Sequence, residues 1–258
     1  MIAAIHLNVG QVAASLVLVA IAAAIAAYER VALERDIAVA VARSAVQLIA
    51  VGYLIDGIFR SNSLWLTAAL LSVQVVIGGF TARSRAPQVP RAITALLPAL
   101  ALAASLTVVL VVALGIFKAT PRYLVPVGGM VIGNAMTAAA VALNRLGDEM
   151  RRSARDVEAA LALGATARQS AQPLVRRSLR SAMIPLIDQT KTTGIIAFPG
   201  TMVGMLLAGA APLDAIKLQL VLLYVLLGGV AIAALTATTI AYRRFYTSAE
   251  QMDEAALG

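Results

Sequence analysis

The sequence predicts an all-α polytopic membrane protein with seven transmembrane helices. Of its 258 residues, 60% are hydrophobic and only 13% are charged, and the mean hydropathy is +0.87. A helix that crosses a bilayer needs about 20 mostly apolar residues, and stretches of that length without a charged side chain recur along the chain. Soluble domains do not have this composition, so the chain is interpreted as a single transmembrane domain over residues 1–258.

Seven stretches of the sequence are long enough to cross a membrane. Five of them carry no charge, and these are 7–28, 61–82, 92–117, 123–144 and 218–242. The other two each contain two charged side chains: 37–59 includes Arg43 and Asp56, and 181–213 includes Asp188 and Lys191. Charges and helix breakers mark the boundaries between these stretches, as in the segment 83–91 with its three arginines and two prolines.

The distribution of basic residues predicts the orientation of the helices. With the N-terminus outside, 15 of the 21 lysines and arginines lie in cytoplasmic segments and four lie outside. Because cytoplasmic loops carry the excess of basic residues, we expect the N-terminus out and the C-terminus in. Topology and attraction to anionic lipid then explain the net charge of +8 without nucleic-acid binding. Arginine outnumbers lysine 18 to 3, which is typical of a GC-rich bacterial genome and favours a bacterial plasma (inner) membrane.

Residues 145–180 form the one sizeable polar segment, a cytoplasmic loop between the fifth and sixth predicted spans. Within it, charged side chains alternate with Val157 and Leu161, which predicts an amphipathic helix over 153–163. Gly164 suits the left-handed position that ends a helix, and Thr166 suits the cap of the next one. The spacing alone leaves two interpretations open: the helix lies on lipid headgroups, or it docks in the groove of a partner.

The end of this predicted helix resembles a known docking motif. Glu158-Ala159-Ala160, three residues and then Gly164 match the first half of the EAA loop. The membrane subunits of many ATP-binding-cassette (ABC) importers contact their ATPase through this loop. The second half of the loop, with its Ile-x-Leu-Pro, is absent at the usual distance.

A longer set of motifs resembles the FetB/YbbM-like family of ABC-transporter membrane subunits. In chain order the motifs are YLVPVGGMVIGNAM at 123–136, EAALALGAT at 158–166, IPLIDQTKTTG at 184–194 and PGTMVG at 199–204. The resemblance covers about 123–246, and the earlier spans agree with the family's layout. It implies a permease that pairs with a separate ATPase, with iron export proposed for some bacterial members and metal or aluminium tolerance for plant relatives.

From this resemblance we expect a homodimeric permease subunit that exports a metal ion such as iron. Coupling to the ATPase is assigned to four residues of the cytoplasmic helix: Glu158, Ala159, Ala160 and Gly164. The sequence contains no Gly-x4-Gly-Lys-Ser/Thr phosphate loop, so ATP and Mg²⁺ are expected on the ATPase, and neither enzyme activity nor a cofactor is expected in this chain. The expected partners are the ABC ATPase, a second copy of the chain and membrane lipid.

Polar and helix-breaking residues in the same motifs predict a translocation pathway. Charges inside a span are costly and face the protein interior or water, so Asp188 and Lys191 form either a neutralised pair or a cation-attracting site. Pro199 and Gly200 are expected to break a helix and free carbonyl groups, and Asn134 needs a polar partner or a water-filled path. No metal ligand set is predicted, because methionine sulfur suits Cu(I) better than iron and more often fills gaps.

Two small-x3-small patterns predict close contacts between helices. They are Gly129-x3-Gly133 and Gly200-x3-Gly204, and small residues at that spacing let two helices approach closely. Pro126 is also expected to break or kink its helix, since proline removes a backbone hydrogen bond.

The alternative function is a stand-alone secondary transporter that is driven by an ion gradient. Asp188 or Asp56 would then be the coupling carboxylate, since intramembrane carboxylates mark ion pathways and proton relays.

The predicted orientation can be tested by cysteine labelling with a membrane-impermeant maleimide. A cysteine introduced at Ser153 is expected to react only from the cytoplasmic side, and one introduced at Ser61 only from outside. The chain has no native cysteine, so the unmodified protein serves as the background control. Labelling of the two positions from the opposite sides contradicts the predicted orientation.

Overall fold

The computed structural model describes residues 8–253 and 256, and this part of the chain is helical, without a β-strand. The predicted all-α fold is confirmed, and only residue 7 of the first predicted span lies outside the described part. The helices are α1 (Val9–Tyr28), α2 (Glu34–Ser61), α3 (Leu64–Ser84), α4 (Ile93–Ala113), α5 (Pro121–Arg152), α6 (Ala154–Ala162), α7 (Ala167–Thr192), α8 (Gly200–Leu207) and α9 (Pro212–Ala241), followed by a 3-10 helix, Tyr242–Phe245.

Six helices in the described residues are long and apolar enough to cross a membrane: α1 to α5, and α9 with the 3-10 helix. The predicted span 181–213 is not among them. Its first part, 181–192, is the end of α7, and the residues of α7 before this part carry four arginines. The prediction of seven transmembrane helices is therefore not confirmed.

The chain breaks between α7 and α8. After α7 a turn is closed by backbone hydrogen bonds, and Gly194 in this turn has φ +88°, in the left-handed region that favours glycine. Pro199 then caps the start of α8, whose first residue is Gly200. The predicted break at Pro199 and Gly200 is thus confirmed, whereas α5 continues through Pro126 without a break.

Glycines bring α3, α4 and α5 together. A Cβ atom built on Gly128 of α5 would lie 2.6 Å from Leu71 of α3, and one on Gly78 of α3 would lie 3.5 Å from both Ile132 of α5 and Leu100 of α4. Because these contacts advance along α3 and α5 in the same direction, the two helices run parallel.

α9 also runs parallel to α5. A Cβ atom built on Gly229 would lie 2.7 Å from Val131 of α5, and further along both helices Ala234 and Ala142 share one buried cluster. The chain between α5 and α9 must therefore return along the bundle. α7 makes the first part of this return: its start packs near the C-terminal end of α5, Ala182 lies with Ala142, and its later residues pack against 131–138.

The largest buried cluster lies at the end of the bundle where α5 and α9 finish. Leu146 and Met150 of α5 are fully buried there together with Phe245 of the 3-10 helix. The C-terminal segment folds back onto the same cluster through Met252, and α6 contributes Val157. The core at this end therefore holds α6 and the C-terminal segment in fixed positions.

The first two helices lie outside this core. None of the apolar stretch of α1 or α2 is buried in the protomer, against 56% for α5 and 44% each for α4 and α9. The protomer is thus built around α4, α5 and α9, with α1 and α2 packed against each other at its edge.

Of the four glycines in the predicted small-x3-small patterns, only Gly129 lies close to another helix in the described residues: a Cβ atom built on it would lie 3.4 Å from Gln74 of α3. Cβ atoms built on Gly133, Gly200 and Gly204 would meet nothing within 4 Å, so for these three glycines the prediction is wrong within a single chain. The close approaches are at other glycines, where a Cβ atom would lie 2.6 to 2.8 Å from a neighbour: Gly79, Gly128, Gly147 and Gly229.

The contact at Gly229 predicts a large difference between two adjacent glycines. In Gly229→Ala the new methyl group would lie 2.7 Å from Val131 and 2.9 Å from Thr107, and overpacking of this kind costs about 1–3 kcal/mol. We expect its thermal unfolding midpoint in detergent to fall by several degrees. Gly228→Ala is the matched control, since nothing lies within 4 Å of its Cβ position. Equal midpoints for the two variants would contradict the close contact of α9 with α5.

Candidate functional site

α6 is a short helix in the polar segment 145–180, and it confirms the predicted helix 153–163 to within one residue at each end. Val157 is 3% exposed and anchors α6 in the largest core cluster. Glu158 and Ala159 are exposed on the opposite side, and Ala160 is half-buried. The side chain of Leu163, just after the helix, is 90% exposed. One face of α6 is therefore buried in the core and the other is exposed.

Gly164 ends α6 in the predicted left-handed conformation, with φ +90°. The Ala165 amide donates to the Ala160 carbonyl at 3.0 Å, and the Gly164 amide donates to the Leu161 carbonyl at 2.9 Å. This pair of bonds is the Schellman motif. A side chain at this φ would be strained, so glycine is required for the helix to end here.

Thr166 begins α7 as predicted. Its hydroxyl accepts a hydrogen bond from the Gln169 amide at 3.2 Å, and the Gln169 side chain accepts one from the Thr166 amide at 2.8 Å. This reciprocal capping box leaves only a short connection, 163–166, between α6 and α7. α6 and α7 are therefore joined by a short corner with capping hydrogen bonds on both sides.

α7 is pinned to α5 beyond this corner. Arg177 Nε donates to Glu149 Oε2 at 2.8 Å, and Ser178 and Leu174 lie buried in the contact between the two helices. α7 therefore connects the corner at its start to the charged residues near its end.

The C-terminal segment is a part of this region that the sequence did not predict. Glu250 Oε2 accepts a hydrogen bond from the Ala167 amide at 3.1 Å, at the start of α7. The Tyr246 hydroxyl lies 2.9 Å from Ser170 Oγ. Burial raises the pKa of the Tyr246 phenol and outweighs the lowering by the Ser170 hydrogen bond, so Tyr246 stays protonated at neutral pH.

The predicted pathway residues Asp188 and Lys191 form an exposed ion pair. Lys191 Nζ lies 3.4 Å from Asp188 Oδ1. The Lys191 side chain is 71% exposed and the Asp188 side chain is 60% exposed. Since α7 packs antiparallel to α5 with Ala182 beside Ala142, equal rise along both helices places Asp188 at the middle of α5. A charge exposed at that depth is costly in lipid, so the pair requires water or another protein surface around it.

Asn134 lies at the same depth on the exposed side of α5. Its side-chain amide donates to the Met130 carbonyl of its own helix at 2.9 Å, so the structure gives it a backbone partner within α5. By the antiparallel register it is level with Thr190, between Asp188 and Lys191. Pro199 and Gly200 are separated from these residues by the turn before α8. The structure thus brings three of the five predicted pathway residues to one depth.

Asp56, the other carboxylate considered for ion coupling, belongs to a different part of the protein. It pairs with Arg60 at 2.8 Å near the end of α2, and its side chain is 59% exposed. α2 packs against α1 and α5, so the ion pair of Asp56 is separate from that of Asp188.

The described residues contain no group of three His, Cys, Asp or Glu side chains that could hold a metal ion. His6 lies outside the described residues. Of the methionines near the pathway, Met202 is buried at 7% exposure and fills space within the protomer.

Sequence comparison shows several relatives over nearly the whole chain. The chain is 40% identical over 243 residues to the UPF0014 membrane protein STAR2 of Oryza sativa subsp. japonica, and the match covers 94% of this chain and 85% of the relative. It is 38% identical over 241 residues to the protein ALUMINUM SENSITIVE 3 of Arabidopsis thaliana, with 93% and 88% covered. It is 33% identical over 242 residues to the probable iron export permease protein FetB of Escherichia coli (strain K12), with 94% and 93% covered.

A family model gives the same result. It matches residues 9–246 and is described as "Uncharacterised protein family (UPF0014)". No solved structure matches the chain. The relatives come from plants as well as bacteria, so the family as a whole is not confined to a bacterial inner membrane. The resemblance to FetB is confirmed, and the chain belongs to the UPF0014 family of membrane proteins.

Proposed function

We propose that this chain is the permease subunit of an ABC transporter and works with a separate ATPase. The observation that carries the proposal is the corner between α6 and α7, where an anchored helix presents Glu158, Ala159 and Leu163 to solvent. A relative that is 33% identical is named a probable iron export permease. In this arrangement Glu158, Ala159, Ala160 and Gly164 contact the ATPase, which carries ATP and Mg²⁺, and this chain catalyses no reaction.

The interrupted segment 181–207 is, in this proposal, a seventh crossing of the membrane. The parallel directions of α5 and α9 support it, because the chain between them runs from one end of the bundle to the other. Broken helices are tolerated at membrane depth where they line a cavity. Seven crossings with the basic segments inside correspond to an N-terminus out, a C-terminus in and, for a bacterial chain, the inner membrane.

The working unit in this proposal is a homodimer. Asp188 and Lys191 are more than half exposed on the protomer, and Gly133, Asn134 and Thr137 are exposed at a similar depth of α5. A second copy of the chain placed against this face would remove the charges from lipid. It would also give Gly133 of α5 a helix to pack against.

The translocation pathway then lies between the copies and carries a metal cation outward, with iron as the first candidate. The Asp188 carboxylate attracts the cation. Lys191 holds this carboxylate in place through the 3.4 Å contact between its Nζ and Asp188 Oδ1. The turn before Pro199 and Gly200 interrupts the helical hydrogen bonds, so carbonyl groups there are free to face a passing ion.

The coupling role predicts that two changes at the corner uncouple the permease from its ATPase. Gly164→Pro is incompatible with φ +90°, because proline fixes φ near −65°, and Glu158→Arg reverses the charge on the exposed face. Both variants are expected to insert normally while transport and co-purification of the ATPase fall. Asp156→Asn, an exposed carboxylate in the first turn of α6, is the control. Normal transport by both corner variants would contradict the assignment.

The pathway role predicts a specific pattern for the Asp188–Lys191 pair. If Asp188 attracts the cation, Asp188→Asn alone abolishes transport at normal protein levels, and adding Lys191→Gln does not restore it. If the two residues are only a neutralised pair, the double variant is milder than either single one, because a single change leaves an unpaired charge. Transport of metal ions into inverted vesicles distinguishes the two. Restored transport in the double variant would defeat the pathway role.

A further inference from the structure

The C-terminal segment forms an ordered turn beside α6. An antiparallel bridge joins Tyr246 and Met252, and the Thr247 amide donates to the Gln251 carbonyl at 2.8 Å. Glu250, at the tip of the turn, has φ +58°, a left-handed conformation that side chains other than glycine rarely adopt. A non-glycine residue held at this φ indicates that the surroundings fix the turn.

Two hydrogen bonds and one buried side chain fix the turn to the corner between α6 and α7. Glu250 accepts from the Ala167 amide at 3.1 Å, and Tyr246 contacts Ser170 at 2.9 Å. Met252 is 9% exposed and packs in the same core cluster as Val157 of α6. The C-terminal turn and α6 therefore rest on the same core cluster, and they form the two walls of the groove described next.

A groove of about 440 Å³ runs between these walls. Its lining residues are Glu158, Leu161, Ala162 and Ala165 on one side and Ala249, Glu250, Gln251 and Met252 on the other. The floor is apolar, and each wall contributes one carboxylate. Neither wall contributes a lysine or an arginine to the lining.

The charge of the groove is opposite to that of its surroundings. Fifteen lysines and arginines lie in the segments assigned to the cytoplasmic side, and α5 ends in Arg151 and Arg152 close to α6. A basic surface with one acidic, apolar-floored groove is complementary to a protein segment that carries a cation next to an apolar side chain. It is not complementary to anionic lipid, which basic residues attract.

We propose that the ATPase docks in this groove and places an arginine or lysine side chain between Glu158 and Glu250, with an apolar neighbour against Leu161. This inference rests on the proposed ATPase partnership and adds the C-terminal turn as the second wall of the docking site. Since Glu250 also caps the start of α7, a force on either wall acts on the helix that carries Asp188.

The test measures how much co-expressed ABC ATPase stays bound to the full-length permease purified in detergent. Glu250→Lys and Gln251→Lys are each expected to lower the retained ATPase by about tenfold. Glu250→Gln keeps an acceptor for the Ala167 amide and removes only the charge, so a smaller loss is expected. Gln251→Lys leaves the Glu250 cap intact and tests the groove independently of the stability of α7. Asp156→Asn, on α6 but outside the groove, is expected to retain the ATPase fully.

The outcomes separate this inference from the proposed function. If Glu158→Arg releases the ATPase while Glu250→Lys and Gln251→Lys both retain it, the second wall is wrong and the ATPase partnership stands. If no ATPase is retained by the unmodified protein, or if Glu158→Arg also leaves retention unchanged, the proposed function itself fails. Loss of the ATPase in both variants of the turn, with Asp156→Asn unchanged, supports the two-walled groove.

Discussion

The close contact of α4, α5 and α9 at Gly229 is the constraint on which the rest of the protomer depends. A Cβ atom at that position would lie 2.7 Å from Val131 and 2.9 Å from Thr107, so the three helices meet with no room for a side chain. In a membrane there is little hydrophobic drive between apolar helices, and close van der Waals contact replaces it. α3 and α7 attach to this core along α5, whereas α1 and α2 remain at the edge.

α7 connects the two candidate parts of the site. It begins at a corner made by Gly164 and Thr166, each with its hydrogen bonds satisfied, and its 26 residues extend about 39 Å. The ion pair of Asp188 and Lys191 lies near its far end, just before the turn that precedes α8. A single helix, continuous through Pro173 and Pro185, therefore joins the corner to the ion pair.

Sequence patterns predicted this corner well and the contacts between helices poorly. The hydrogen bonds that form the corner at Gly164 and Thr166 join residues three to five positions apart, so this local chemistry can be predicted from neighbouring residues. Glu250 caps a helix 83 residues earlier in the chain, and no local pattern marks such a partner. The glycine at 133 was predicted as a contact from spacing alone, but spacing does not tell which face of a helix meets a neighbour.

The sequence by itself determined the all-α membrane class, the positions of six long helices and the ends of α6 and α7, because hydrophobic length and capping chemistry are local. Only the tertiary structure decided that α7 ends at Thr192, within the span predicted over 181–213, and which glycines touch. It also decided that Asp188 and Lys191 stay exposed and that the C-terminal turn lies against α6. These features depend on side chains far apart in the chain, which become neighbours only when the helices pack.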